Sequence, residues 1–115
     1  MYTSLLFLII NLLIICEFSN SSNTAVTSKM SHLIVLCHGL NGDFRELSYL
    51  ERKINELSPD CIVLNSKENN GELSKLGIEK CAINLATEIK HEVTKHPNLK
   101  RISLVGMSLG GLIQR

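Results

Sequence analysis

Gly106-Met107-Ser108-Leu109-Gly110, with Gly111 after it, spells G-x-S-x-G-G. The pentapeptide follows an apolar run, Arg101-Ile102-Ser103-Leu104-Val105, and residues 106–115 read as a turn opening a helix. A serine on so sharp a strand-to-helix turn needs a strained backbone. Flanking glycines let strand and helix approach without Cβ clashes. The turn lifts the hydroxyl clear of the backbone and sets it at a helix N-terminus, where partial positive charge favours a developing anion. That is the chemistry of acyl transfer, with Ser108 as nucleophile and Gly106, Gly110 and Gly111 as its frame. The competing reading, an ordinary glycine-rich strand–helix turn with a capping serine, is weakened by the strand before and the helix after.

A second candidate lies two strand–helix steps earlier. His38-Gly39-Leu40-Asn41-Gly42 also follows an apolar run. A tetrahedral intermediate places negative charge on the former carbonyl oxygen, and two converging backbone N–H groups stabilise it. The amides of Leu40 and Leu109 are the expected pair. Gly39 and Gly42 would keep the loop backbone open to substrate. Gly39 and Met107 would touch substrate, although the apolar flanks Leu40, Met107 and Leu109 fit core packing as well as an acyl chain. His38 reads as a loop-organising hydrogen-bonding residue rather than a base.

These residues need a scaffold, and the chain alternates in a way that supplies one. His32 to Cys37 is a continuous apolar run, as expected of a strand buried on both faces of a parallel sheet. Asp43 followed by Glu46 reads as a helix start. Phe44, Leu47, Leu50, Ile54 and Leu57 then recur at helical spacing until Pro59. Cys61 to Leu64 is a second strand, and Asn65 to Lys75 is a polar turn region containing Asn70-Gly71. Ile78, Ala82, Leu85, Ile89 and Val93 stripe a long helix that closes at His96-Pro97-Asn98, and Arg101 to Val105 is the third strand. The order β-α-β-α-β-turn-α predicts an α/β fold with parallel strands joined by right-handed crossovers.

Composition removes other classes. The 115 residues carry 12 Lys+Arg against 11 Asp+Glu, a net charge of +1 with no block of like charge, which excludes an electrostatic nucleic-acid binder. Neither GxGxxG nor GxxxxGK[ST] occurs, so a nucleotide cradle has no support. Four cysteines at 16, 37, 61 and 81 form no metal-ligand spacing, and Cys37, Cys61 and Cys81 read as small hydrophobes. No metal or organic cofactor is expected.

The N-terminus is different in kind. Leu5 to Cys16 is apolar except for Asn11. That is too short for a relaxed transmembrane helix, which needs about 20 residues, and it fits the core of a signal peptide. No Lys or Arg precedes it and no A-x-A-like site follows. Residues 1–18 are therefore expected to be a signal peptide or short anchor and 19–30 a Ser/Asn/Thr-rich linker with a sequon at Asn20, leaving 31–115 as the domain. Membrane association through residues 5–16 and a secretory or membrane location follow; a product starting at Met30 would be cytoplasmic.

HLIVLCHGLNGD (32–43), RISLVGMSLGGLIQR (101–115) and the IEKCAINLATEI helix between them (78–89) make the chain resemble the N-terminal portion of an α/β-hydrolase, most closely the serine esterase and lipase branch. The resemblance implies hydrolysis of an acyl ester, a lipid foremost, without a cofactor. It also implies a triad acid and His placed after the nucleophile. Here seven residues follow Ser108, none of them Asp, Glu or His, and His32, His38, His91 and His96 all precede it. A serine without its base is a weak nucleophile. The expectation is thus the front portion of a longer hydrolase, incomplete at its C-terminus and inactive alone; the alternative is a non-catalytic remnant or interaction protein.

Overall fold

The computed structural model describes the backbone of residues 14–19 and the whole of residues 30–115. Four strands form one sheet: β1 (Ile14–Ser19), β2 (His32–Cys37), β3 (Cys61–Asn65) and β4 (Arg101–Gly106), in the order β1-β4-β2-β3. β2 lies between β3 and β4 and runs parallel to both, with His32 opposite Cys61 on one side and Arg101 on the other. The α/β architecture expected from the alternation is therefore the one observed, as an open, partial sheet.

The helices are α1 (Ser48–Leu57), α2 (Ile78–Lys95) and the short α3 (Leu109–Ile113), with 3-10 turns at Phe44–Leu47 and Gly71–Lys75. β2 shows why the apolar run is continuous. Leu33, Val35 and Cys37 enter the main core with Cys81 and Leu85 of α2 and Ile113 of α3, while Leu36 is buried on the opposite face. The stripe on α2 holds at Ala82, Leu85, Ile89 and Val93, which lie in or against the core with Cys81, while Ile78, in its first turn, is 49% exposed.

Two local readings change. Asp43 caps a 3-10 turn and not an α-helix, accepting from the Arg45 amide at 2.8 Å; α1 starts five residues later. Of the stripe Phe44 to Leu57, Leu47 alone is buried, and Leu57 at the last helical position is 80% exposed. Spacing places Leu57 on the right face, but the helix ends there and nothing lies over it.

The larger difference is β1. It pairs antiparallel with β4 over six residues, from Ile14 opposite Gly106 to Ser19 opposite Arg101. Its residues straddle the expected apolar segment and linker. Ile14, Ile15 and Phe18 suit a strand, and β4 would otherwise present an edge of unpaired amides and carbonyls. Residues 1–13 and 20–29, with the remainder of the apolar run and the sequon, lie outside the described residues.

Candidate active site

The C-terminal ends of β2 and β4 bring the two glycine motifs together. Ser108 has φ 54° and ψ −121°, one of three non-glycine residues with positive φ among those described. Such a conformation costs about 1–3 kcal/mol and persists only where the surroundings impose it. Glycines impose it here. A Cβ on Gly106 would collide with the backbone of Gly111 and stand 2.6 Å from the Gly110 carbonyl carbon; one on Gly110 would collide with the Cys37 carbonyl and stand 2.6 Å from that of His38. Three backbone hydrogen bonds finish the turn: Met107 N to Cys37 O, Gly110 N to Met107 O and Gly111 N to Ser108 O, each 3.0 Å.

Gly39 packs directly on this turn. A Cβ there would lie 3.2 Å from Ser108 Cβ, 3.3 Å from Met107 O and 3.8 Å from Ser108 Oγ. Gly39 is buried against the serine, and Ser108 itself is exposed. The bare side of Gly42 faces the Glu46 carboxylate, 2.7 Å from where a Cβ would be, so Glu46 covers this glycine that the sequence reading left open to substrate. The Leu40 side chain is 59% exposed, whereas Leu109 packs against the core. Neither the Leu40 nor the Leu109 amide donates a hydrogen bond among the described residues. Both amides are thus free to donate as far as the described residues go, and with only five residues in α3 the summed helix dipole there is small.

The loop carrying Leu40 is braced from the segment read as a polar turn. Asn41, with φ 58°, donates its amide to Ser74 Oγ at 2.6 Å; Gly71 N donates to Gly42 O at 2.7 Å; Phe44 N donates to Asn70 Oδ1 at 3.2 Å. The segment is itself tied down. Ser66 Oγ and Lys67 N donate to the Glu88 carboxylate at 2.6 and 3.0 Å, and buried Asn69 donates to Cys81 O at 2.9 Å. Asn70-Gly71 is legible in the sequence as a turn, whereas nothing there singles out Ser66, Lys67, Asn69, Ser74 or Glu88 as braces.

His38 is buried, and its Nδ1 lies 3.0 Å from Gly39 O. A carbonyl only accepts, so Nδ1 carries the proton and Nε2 is an acceptor without a partner among the described residues. The Gly39 carbonyl also receives Gly42 N at 3.2 Å, so the imidazole helps to close the loop. Burial pushes the Cys37 thiol up to about 12, with Glu88 and Cys81 adding to the effect. That thiol is inert beneath the turn.

The other three histidines are elsewhere. His32 begins β2, six residues from the loop along the sheet, and contacts Ser103, Cys61 and Arg101. His91 is exposed on α2, and His96 at the end of α2 pairs with Glu92 at 3.2 Å. A hydrogen bond from Lys95, assisted by His96, holds the Glu92 carboxyl below its usual range. The Ser108 hydroxyl has no hydrogen-bond partner among the described residues. Among them, too, no helix is long and apolar enough to cross a membrane.

Residues 27–115 match the family model described as "Putative serine esterase (DUF676)". No significant match was found among curated proteins or among solved structures. The family match spans both glycine motifs and every element from β2 to α3. The chain belongs to this serine esterase family, a branch of the α/β-hydrolases.

Proposed function

We propose that Ser108 is the nucleophile of an esterase acting on acyl esters, lipids foremost among them. The observation that carries the reading is the positive-φ turn at Ser108 with Gly39 packed against it. In this reading the hydroxyl oxygen attacks the ester carbonyl, and the Leu40 and Leu109 amides receive the oxyanion. Gly39 and Met107 line the approach. The exposed Leu40 side chain adds an apolar contact for an acyl group.

The described residues set no base against Ser108, and proton removal from the serine needs one within about 3 Å. In this reading a His and the acid that orients it complete the site, and without them the Ser108 hydroxyl is expected to be a weak nucleophile. A location in the secretory pathway or at a membrane surface, with residues 5–16 as the apolar element, remains part of the proposal; a start at Met30 would leave the domain in the cytoplasm.

A fluorophosphonate probe tests the nucleophile. Applied to the native protein in its own source, it is expected to leave its adduct on the peptide containing Ser108. The isolated chain is expected to hydrolyse p-nitrophenyl esters no faster than its Ser108→Ala variant. A folded native protein that stays unlabelled at Ser108 would overturn the catalytic reading and favour a non-catalytic remnant.

A further inference from the structure

Residues 14–16 belong to β1, and β1 fixes where the apolar run before them meets the domain. The strand is antiparallel to β4, with Ile14 opposite Gly106, two residues before Ser108. The chain therefore enters β1 from the Ser108 end of the sheet. Residues 5–13, apolar except for Asn11, lead into Ile14 at that end. Nine residues are too few to span a bilayer, which takes about 20.

The described surface is apolar at the same end. Leu40 lies in the loop after β2, and Leu73 and Leu76 lie between β3 and α2; all three side chains are exposed. They belong to one rim, because Asn41 N donates to Ser74 Oγ at 2.6 Å and Gly71 N donates to Gly42 O at 2.7 Å. At the opposite end Met30 and Leu57 are exposed, each on its own element. Single exposed hydrophobes are ordinary, whereas a contiguous apolar rim marks a surface that meets something.

Charge selects what it meets. Residues 38–47 and 66–77 carry three cations against four carboxylates. Arg45 pairs with Asp43 at 2.6 Å, Lys75 pairs with Glu72 at 2.8 Å, and Lys67 Nζ lies 4.6 Å from the centre of the Phe44 ring. All three cations of these stretches are engaged, so the rim has little attraction for an anionic headgroup layer. Apolar contact is what it offers.

We propose that the Ser108 end of the sheet docks on a neutral, zwitterionic lipid surface, with Leu40, Leu73 and Leu76 as the rim that meets it and residues 5–13 as the second apolar contact. One lipid anchor alone holds a protein at a bilayer only marginally, and two elements together hold it stably. β1 makes the two act at one place, and docking there sets acyl esters within reach of the Ser108 hydroxyl. The inference rests on the lipid-esterase reading for the substrate, although the evidence for docking does not pass through the serine.

The chain has no Trp, so single fluorescent reporters test the geometry. Leu73→Trp puts one on the rim, and Leu57→Trp puts one at the opposite end, where α1 runs out before β3. Each full chain is mixed with phosphatidylcholine vesicles whose acyl chains carry bromine, a short-range quencher. Leu73→Trp should shift to the blue and be quenched several-fold more than Leu57→Trp, and high salt should not release it. The double variant Leu73→Gln, Leu76→Gln should lower the fraction that floats with the vesicles several-fold. Docking is read without turnover, so its failure and a failure of fluorophosphonate labelling at Ser108 are separate results. No quenching at Leu73→Trp, or quenching equal at the two positions, would overturn the proposal. So would binding that appears only with anionic phosphatidylserine. A blue shift without vesicles at a doubled mass would overturn it too, making the rim an interface between copies of the chain. If Leu73→Trp does not fold, Leu76→Trp takes its place.

Discussion

The two ends of the parallel sheet each gather polar residues, and they do so by different physics. At the C-terminal end the backbone does the work. Ser108 is aimed by a positive-φ turn that glycines at 106, 110 and 39 permit, and among the described residues no side chain holds the hydroxyl. At the N-terminal end the backbone is ordinary strand, and side chains from three neighbouring strands converge on His32. A site made by backbone is intolerant of a single added carbon but indifferent to nearby charge. A site made by cross-strand side chains reverses both sensitivities.

Gly110→Ala probes the first half of that statement and carries the largest expected effect. The new Cβ would overlap the Cys37 carbonyl oxygen and press on that of His38, two backbone atoms of the central strand region that cannot swing aside. Overpacking of this kind costs about 3 kcal/mol or more. The urea midpoint should fall accordingly, and the β4–α3 turn should lose amide-exchange protection before the rest. A near-neutral Gly110→Ala would show that the close approach of α3 to β2 is not what fixes the serine.

This end was legible in sequence because its determinants are local. Glycine spacing around Ser108, and the apolar runs of β2, β3 and β4, are visible within a few residues of one another, and the strands appear within one residue of where they were expected. The Cys61–His32–Arg101–Ser103 group was not legible. Its members are 29 and 69 or more residues apart, and they meet only once the register is known. β1 was missed for a related reason. An apolar run of that length suits a signal-peptide core as well as a strand, and the pairing of Ile14–Ser19 with β4 depends on a partner about 85 residues away along the chain. The braces at Ser66, Asn69 and Glu88 depend in the same way on how α2 lies over the sheet.

Ser108→Gly sharpens the comparison with a smaller effect of opposite sign. Glycine accepts φ 54° and ψ −121° without a Cβ penalty, while losing more freedom on folding than serine does. The release of about 1–3 kcal/mol of strain outweighs that entropy, so a net gain of about 1 kcal/mol is expected. Chemical denaturation of parent and variant at neutral pH measures it. Replacing Ser103, whose hydroxyl meets His32 at the opposite end, has no strain to release and should never stabilise. A Ser108→Gly chain no more stable than the parent would mean that the turn is relaxed, and the contrast between the two ends would lose its basis.

Asp43 offers the smallest and most specific test, because its carboxylate both caps the 3-10 turn after the glycine loop and pairs with Arg45. It accepts from the Arg45 amide at 2.8 Å and pairs with the Arg45 guanidinium at 2.6 Å. The Arg45 side-chain hydrogen bond, then the backbone one, lower its carboxyl from an ordinary 3.8 to about 2. A folded-state value below the unfolded one means stability that is fully present above about pH 4 and fades as pH falls through 2. Asp43→Ala should therefore unfold slightly earlier than the parent at neutral pH, and the two thermal midpoints should converge between pH 4 and pH 2. The pair is solvent-screened, so added salt should shrink the neutral-pH difference as well. If the difference persists unchanged at pH 2, the carboxylate charge is not its source. In that case the loop beside Ser108 would be held by backbone geometry and the neutral braces of Ser74 and Asn70, with no part played by charge.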